Sequence, residues 1–239
     1  MIVLLLGSGL PALRAAQWPR ARFDRIVAIN NAWRVRPDWD DMIHPWDFPA
    51  DRLPQPAPGQ RLITEDDFVP AQNAHGGFVY AGATMAFTAA YWVLEALKPR
   101  VIALMGCDMV YPATGPTHFY GTGTPDPLRQ DITLRSLEAK SARLRILAAR
   151  RGTAVVNLST GPTRLALPRA TPASLPNCQP LPVWNMIADQ AISREAELDY
   201  ATPTGRYWEN LSRYDTTEID RLDALWLAAG QIPAARRLR

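Results

Sequence analysis

Six residues, Met1-Ile2-Val3-Leu4-Leu5-Leu6, run without a spacer into Gly7-Ser8-Gly9-Leu10-Pro11-Ala12. A short, wholly apolar run bounded by glycine reads as a buried strand. The first glycine lets the backbone turn and the second lets it approach another group closely. Pro11 suits the first turn of a helix, where its missing N–H is not needed. A strand, a tight turn and a helix start within twelve residues commit the chain to an α/β fold. They also predict free backbone N–H groups aimed at one point, where a phosphate group binds.

The rest of the chain repeats this rhythm. A short helix is expected over Pro11 to Ala16, and strands over Arg25–Asn30, near Met42-Ile43 and over Arg61–Thr64. Pro54 to Gly59 reads as a proline-rich surface excursion. Gly76-Gly77 and Gly82 lead a long helix from Ala83 to Leu97, closed by Pro99, and Val101 to Met105 is a fully apolar strand. Tyr111 to Pro127 is a loop rich in Gly, Pro and Thr, long enough to suggest function. A helix follows over Ile132–Arg151, with Leu134, Leu137, Leu144 and Leu147 as its stripe, then a strand over Thr153–Asn157.

Strands alternating with helices predict a Rossmann-like, mostly parallel sheet with helices on both faces. The expected organisation is a nucleotide-binding domain over residues 1–170, then a proline-rich segment and helical extension over 171–239. Its helices are expected over Val183–Leu198 and Thr216–Ala229.

A net charge of +3 gives no reason to expect nucleic acid, while the excess of arginine over lysine suits carboxylate or phosphate ligands. Cys107 and Cys178 make neither a disulfide framework nor a zinc spacing, which favours a reducing compartment. The N-terminal apolar run is shorter than a signal-peptide core, and no stretch reaches the roughly 20 apolar residues of a membrane span. A cytoplasmic protein without a transmembrane segment is expected. Arg236-Arg237-Leu238-Arg239 reads as a solvated basic tail.

In open parallel sheets, ligands bind beyond the carboxyl ends of the strands. Here those ends are Gly7-Ser8-Gly9, Asn30-Asn31, Gly106-Cys107-Asp108 and Asn157-Leu158-Ser159. A nicotinamide site wants an acidic residue after the second strand, and Asn30-Asn31 stands there instead. An asparagine amide can still bond a base or ribose through its donor and its acceptor. Asp108 either caps a turn or bonds the ligand. Asp38-Trp39-Asp40 matches a short metal-binding pattern, although neighbouring Asp41 and Asp47 suggest a plain acidic loop. His118, in the long loop, is the first candidate for a base and His75 the second, while His44 beside Pro45 and Trp46 reads as packed structure. Tyr111 and Tyr120 can donate to a departing phosphate. The histidine spacing gives no metal site.

Leu6-Gly7-Ser8-Gly9 with Pro11, Ile29-Asn30-Asn31, Ala81-Gly82-Ala83-Thr84-Met85 and Val101 to Tyr111 occur in an order that resembles the bacterial sialyltransferases of glycosyltransferase family 42, over about residues 1–160. The resemblance implies a variant GT-A fold that binds CMP-sialic acid without an obligatory metal and transfers the sugar to a hydroxyl acceptor with inversion. By position, Gly7, Ser8, Gly9 and Asn30 would hold the nucleotide, and Asn31 at the same strand end is taken with them as nucleotide-binding. Gly82, Thr84, Gly106 and Asp108 would line its site, with tyrosines on the phosphate and a histidine as base. The turn departs from the family's pattern, reading Gly-Leu-Pro, and the family's histidine lies further along than His118. The early turn and the Gly-x-Asp strand end also resemble 6-hydroxymethylpterin diphosphokinase-like proteins. That likeness would imply ATP and magnesium, with Asp38, Asp40 or Asp108 near the metal. A third possibility is a nucleotide-binding protein without turnover.

Overall fold

The computed structural model describes residues 1–123 and 126–231, so the basic tail at 236–239 lies outside the described residues. Among the described residues, six strands form one parallel sheet: β1 (Ile2–Leu6), β2 (Arg25–Ile29), β3 (Asp41–Ile43), β4 (Arg61–Ile63), β5 (Val101–Met105) and β6 (Ala154–Asn157). Their order is β4-β3-β2-β1-β5-β6. The chain steps outward from β1 to β4, then crosses back to place β5 on the other side of β1. The topological switch point therefore lies between β1 and β5.

Both faces of the sheet are covered, which is why the strands are continuously apolar. Val3, Leu5, Ile102 and Leu104 point into a core built with α1 (Glu65–Asn73), α2 (Phe78–Ala81), α3 (Met85–Trp92) and α4 (Leu137–Arg150). Leu4, Leu6, Ala103 and Met105 point to the opposite face. There the cover is thinner: a 3₁₀ helix at Leu10–Gln17, another at Asn30–Val35, and the irregular chain around Leu175. The expected helix after Pro11 is thus a 3₁₀ helix. The expected 83–97 helix runs as α3 and continues through a π-helical turn, Val93–Leu97, to Lys98 in the left-handed region. The expected 132–151 helix is split. Ile132–Leu134 forms a separate 3₁₀ turn and Ser136 then caps α4, accepting from Ala139 N–H at 3.1 Å.

The extension carries α5 (Asn185–Leu198) and α6 (Thr216–Ala229), which pack on α4 through Ile146, Ala188, Ala191, Trp226 and Ala229. Tyr200, Tyr207, Tyr214, Ile219 and Leu222 of the same extension join the main core. No helix among the described residues is long and apolar enough to cross a membrane.

The opening glycines are explained by the switch point. Gly7 N–H donates to Met105 O at 2.8 Å and Gly9 N–H to Gly106 O at 2.9 Å. A Cβ on Gly7 would lie 2.4 Å from Gly106 O, and one on Gly106 would lie 2.7 Å from Ala12 Cβ. The turn is therefore a backbone-to-backbone seam between β1 and β5. Neither glycine amide is thus among the free N–H groups expected at this turn. Gly7→Ala is expected to destabilise the fold by about 3 kcal/mol or more, because backbone cannot move aside as a side chain would. A urea midpoint like that of the parent would contradict the seam.

Candidate functional site

The register brings the carboxyl ends of three strands level. Leu6 pairs with Ala28 on one side and with Met105 on the other, so Gly7, Ile29 and Gly106 emerge together. Above them opens a cleft of about 1260 Å³, at the place the parallel-sheet rule assigns to ligands.

The structure brings ten expected site residues into this cleft: Gly7, Ser8, Gly9, Asn30, Asn31, Thr84, Gly106, Tyr111, His118 and Tyr120. Three others lie elsewhere. Gly82 ends α2 with φ 89°, and a Cβ there would meet Phe87 at 2.9 Å, so its role is in packing. Asp108 is buried behind the cleft, where Asn157 Nδ2 donates to it at 2.9 Å. Its carbonyl accepts from Arg164 N–H at 3.0 Å, anchoring the chain after β6. His75 sits in a buried polar knot below α3, its Nε2 3.2 Å from Glu95 Oε2 and its ring 5.1 Å from that of Tyr91. Thr84 touches the cleft, and its hydroxyl is occupied as the cap of α3, accepting from Phe87 N–H at 3.3 Å.

Asn30 and Asn31 are placed differently from these. Asn30 adopts φ 51°, a left-handed conformation that asparagine tolerates, at the sharp exit from β2. Both side-chain oxygens are buried without a hydrogen-bond partner. A buried acceptor left unpaired costs about 1–3 kcal/mol, and both residues line the cleft.

The long loop crosses the turn, with Phe119 N–H donating to Ser8 O at 3.1 Å. A two-residue reversal follows, in which His118 N–H and O bond Gly121 O and N–H at 3.0 and 3.1 Å. This fixes His118 between Tyr111, 5.8 Å away by ring centroids, and Tyr120, stacked at 5.1 Å. His118 Nδ1 lies 2.9 Å from Thr117 Oγ1. That hydroxyl also accepts from Gly123 N–H at 2.9 Å and donates to Gly123 O at 3.1 Å. When the hydroxyl proton points to Gly123 O, the hydroxyl accepts from Nδ1–H and Nε2 carries the lone pair. Burial holds the His118 pKa below the usual histidine value, so the ring is neutral near pH 7.

Burial, aided by the charges of Arg151 and Arg143, pulls the His75 pKa down to about 4, whereas the unfolded chain titrates near 6.5. Between these values the unfolded state binds the extra proton, so stability rises with pH across that window and is lost as pH falls through it. His75→Gln is expected to flatten the urea midpoint between pH 6.5 and 4. An unchanged slope would contradict the assignment.

The Asp38-Trp39-Asp40 pattern lies before β3, at the end of the sheet away from the cleft. Arg36 takes Asp38 in a two-pronged pair at 2.6 and 2.7 Å, and Arg20 takes Asp40 at 3.0 and 2.8 Å. Trp39 is core, only 4% exposed. These carboxylates are engaged by arginines. Among the described residues no group of three His, Cys, Asp or Glu side chains could hold one ion. Cys107 borders the cleft, and burial pushes its thiol pKa far up, which makes it a poor nucleophile. His44 is packed structure, its Nδ1 2.9 Å from Pro45 O.

The cleft also contains residues that the sequence did not flag. Trp46 and Trp208 line it at 70% and 49% exposure, and Arg34 and Arg52 stand on its rim. Thr204 to Trp208 come from the extension, held by Tyr207 OH donating to Asp131 at 2.6 Å. Burial pushes the Asp131 pKa up, but hydrogen bonds from Tyr207 and Thr133 outweigh it and keep the carboxylate ionised. The only available signal for this wall was the cluster of aromatics, Tyr207-Trp208, in an otherwise polar stretch.

The chain matches no family model, no curated protein and no solved structure. Function is therefore read from this cleft.

Proposed function

We propose that the chain is an inverting glycosyltransferase that draws its sugar from a nucleotide-activated donor, CMP-linked by the resemblance of its motifs. The observation that carries this reading is His118: an imidazole held at Nδ1 and flanked by two tyrosines, lining a switch-point cleft. In this scheme Nε2 takes the proton of an acceptor hydroxyl as its oxygen bonds to the anomeric carbon. The bond from that carbon to the phosphate oxygen breaks, and its electron pair leaves with CMP. Tyr111 and Tyr120 donate hydrogen bonds to the departing phosphate. Asn30 and Asn31 satisfy their buried oxygens on the nucleoside. Gly7, Ser8, Gly9 and Gly106 form the floor. The loop from Tyr111 closes over the donor and excludes water.

Calorimetry with CMP, CDP, UDP, ATP and NAD, each with and without magnesium, tests the donor class. Binding of CMP ahead of the others supports the proposal. Magnesium-dependent ATP binding with none of CMP overturns it in favour of the diphosphokinase-like reading.

A further inference from the structure

Most arginines among the described residues have an ion pair or a hydrogen-bond acceptor. Even exposed guanidinium groups are matched, as in Arg135 with Asp220 and Arg169 with the Ser159 and Gly161 carbonyls. Among the described residues, only Arg22, Arg34 and Arg52 have neither an ion pair nor a hydrogen-bond acceptor for the guanidinium. Arg22 precedes β2, at the far end of the sheet. Arg34 and Arg52 both line the cleft.

Trp33 contacts both residues, the side chain of Arg34 and the backbone of Arg52. The Arg34 guanidinium lies 5.4 Å from the centroid of the Trp33 ring, and Trp33 Nε1–H donates to Arg52 O at 3.2 Å. Asn31, three residues before Arg34, is 3% exposed, lines the same cleft and leaves its amide oxygen unpartnered. Two guanidinium groups without counter-charges call for an anion with several oxygens, which they can bind bidentately. An unpaired amide oxygen on a residue lining the same cleft suits a hydroxyl or N–H on the same ligand. A sugar that carries a phosphate or a carboxylate meets both demands.

We infer that Arg34, Arg52 and Asn31 form an oxyanion subsite beyond β2, which takes the acidic group of a phosphorylated or carboxylated sugar. The subsite is separate from the Gly7–Gly9 turn, whose glycine amides are already engaged with β5. It goes beyond the glycosyltransferase reading because it requires an acidic ligand and no transfer chemistry. The acidic group has two sources, the ribose phosphate of a nucleotide or the carboxylate of an acidic sugar.

The test is calorimetry of the full chain with cytidine, CMP, inorganic pyrophosphate and N-acetylneuraminic acid, at low and high salt. The parent is compared with the Arg34→Gln/Arg52→Gln double variant and with Arg22→Gln. Both cleft arginines are exposed, so the double variant should melt like the parent. Removing one charge-assisted hydrogen bond should weaken anion binding about tenfold, and removing both about 100-fold, and the salt dependence should become shallower. Arg22→Gln should bind as the parent does, and cytidine should be insensitive to all three changes. A loss confined to CMP assigns the subsite to the nucleotide phosphate, and one confined to the sugar acid assigns it to the carboxylate. Pyrophosphate binding through these arginines without any nucleotide binding would sustain the subsite and sink the donor proposal. A double variant that binds every anion as the parent does overturns the subsite, as does a parent that binds none of them.

Discussion

His118→Ala is expected to lower sugar transfer by about 10²- to 10⁴-fold, the range typical of a lost general base. The loss should fall on the chemical step. His118 sits at the mouth of the cleft, while the unpartnered amides of Asn30 and Asn31 lie at the end of β2, so CMP affinity should change little. The pH profile gives an independent readout. Burial lowers the His118 pKa, so kcat/KM in the parent should hold down to below pH 6.5 and then fall as the imidazole takes up a proton. In the alanine variant that acid limb should disappear. Thr117→Val, which removes the partner of Nδ1, should lower the rate less and leave the limb in place. An alanine variant with parental rates and an unaltered profile would remove His118 from the mechanism.

Glu195→Ala is expected to destabilise the protein by about 3–5 kcal/mol, the usual result of stripping one partner from a buried ion pair. Arg143 is 2% exposed and Glu195 8%. Their carboxylate–guanidinium pairing is two-pronged, at 2.8 and 2.7 Å. The remaining Arg143 donors reach Tyr91 OH at 2.8 Å and His75 O at 2.6 Å, and Trp226 Nε1–H donates to Glu195 at 2.8 Å. The Arg143–Glu195 pair thus ties α4, α5 and α6 to the segment before α2. Without it, the Arg143 charge stays buried with neutral partners alone, and the Trp226 indole loses its acceptor. The double change Arg143→Met/Glu195→Leu should be milder than Glu195→Ala, because no charge is left without a partner. Urea denaturation measures both. A single variant within about 1 kcal/mol of the parent would contradict the buried pairing, since losses that small belong to exposed pairs.

The fold was largely legible because a parallel sheet covered on both faces writes its strands as unbroken apolar runs. β1, β2 and β5 lie where such runs occur. α1 was missed because Pro70 and three leading acidic residues hide its apolar face. Its one clear signal was the Thr64-x-x-Asp67 capping box, in which Asp67 accepts from Thr64 N–H at 3.1 Å. At the site, strand-end residues were readable because strand ends converge by topology. His75 and Asp108 showed the limit of that reasoning. A histidine before two glycines reads as a candidate base, but its ring packs on Tyr91 and its carbonyl accepts from Arg143, 68 positions away. The glycines of the opening turn stand out in the sequence, and the reason for them does not: the partner that demands them, Gly106, follows β5. The wall carrying Trp208 depends on the extension folding back, which no local pattern encodes.

The most direct measurement of the proposed activity is an NMR time course of a CMP-linked sugar with the protein, following the anomeric signal of the sugar as CMP is released. The expected result is release of CMP with the first-formed product in the inverted configuration, and loss of that signal in His118→Ala. Product with retained configuration, or no cleavage of any CMP-linked sugar despite CMP binding, would contradict the proposed transfer.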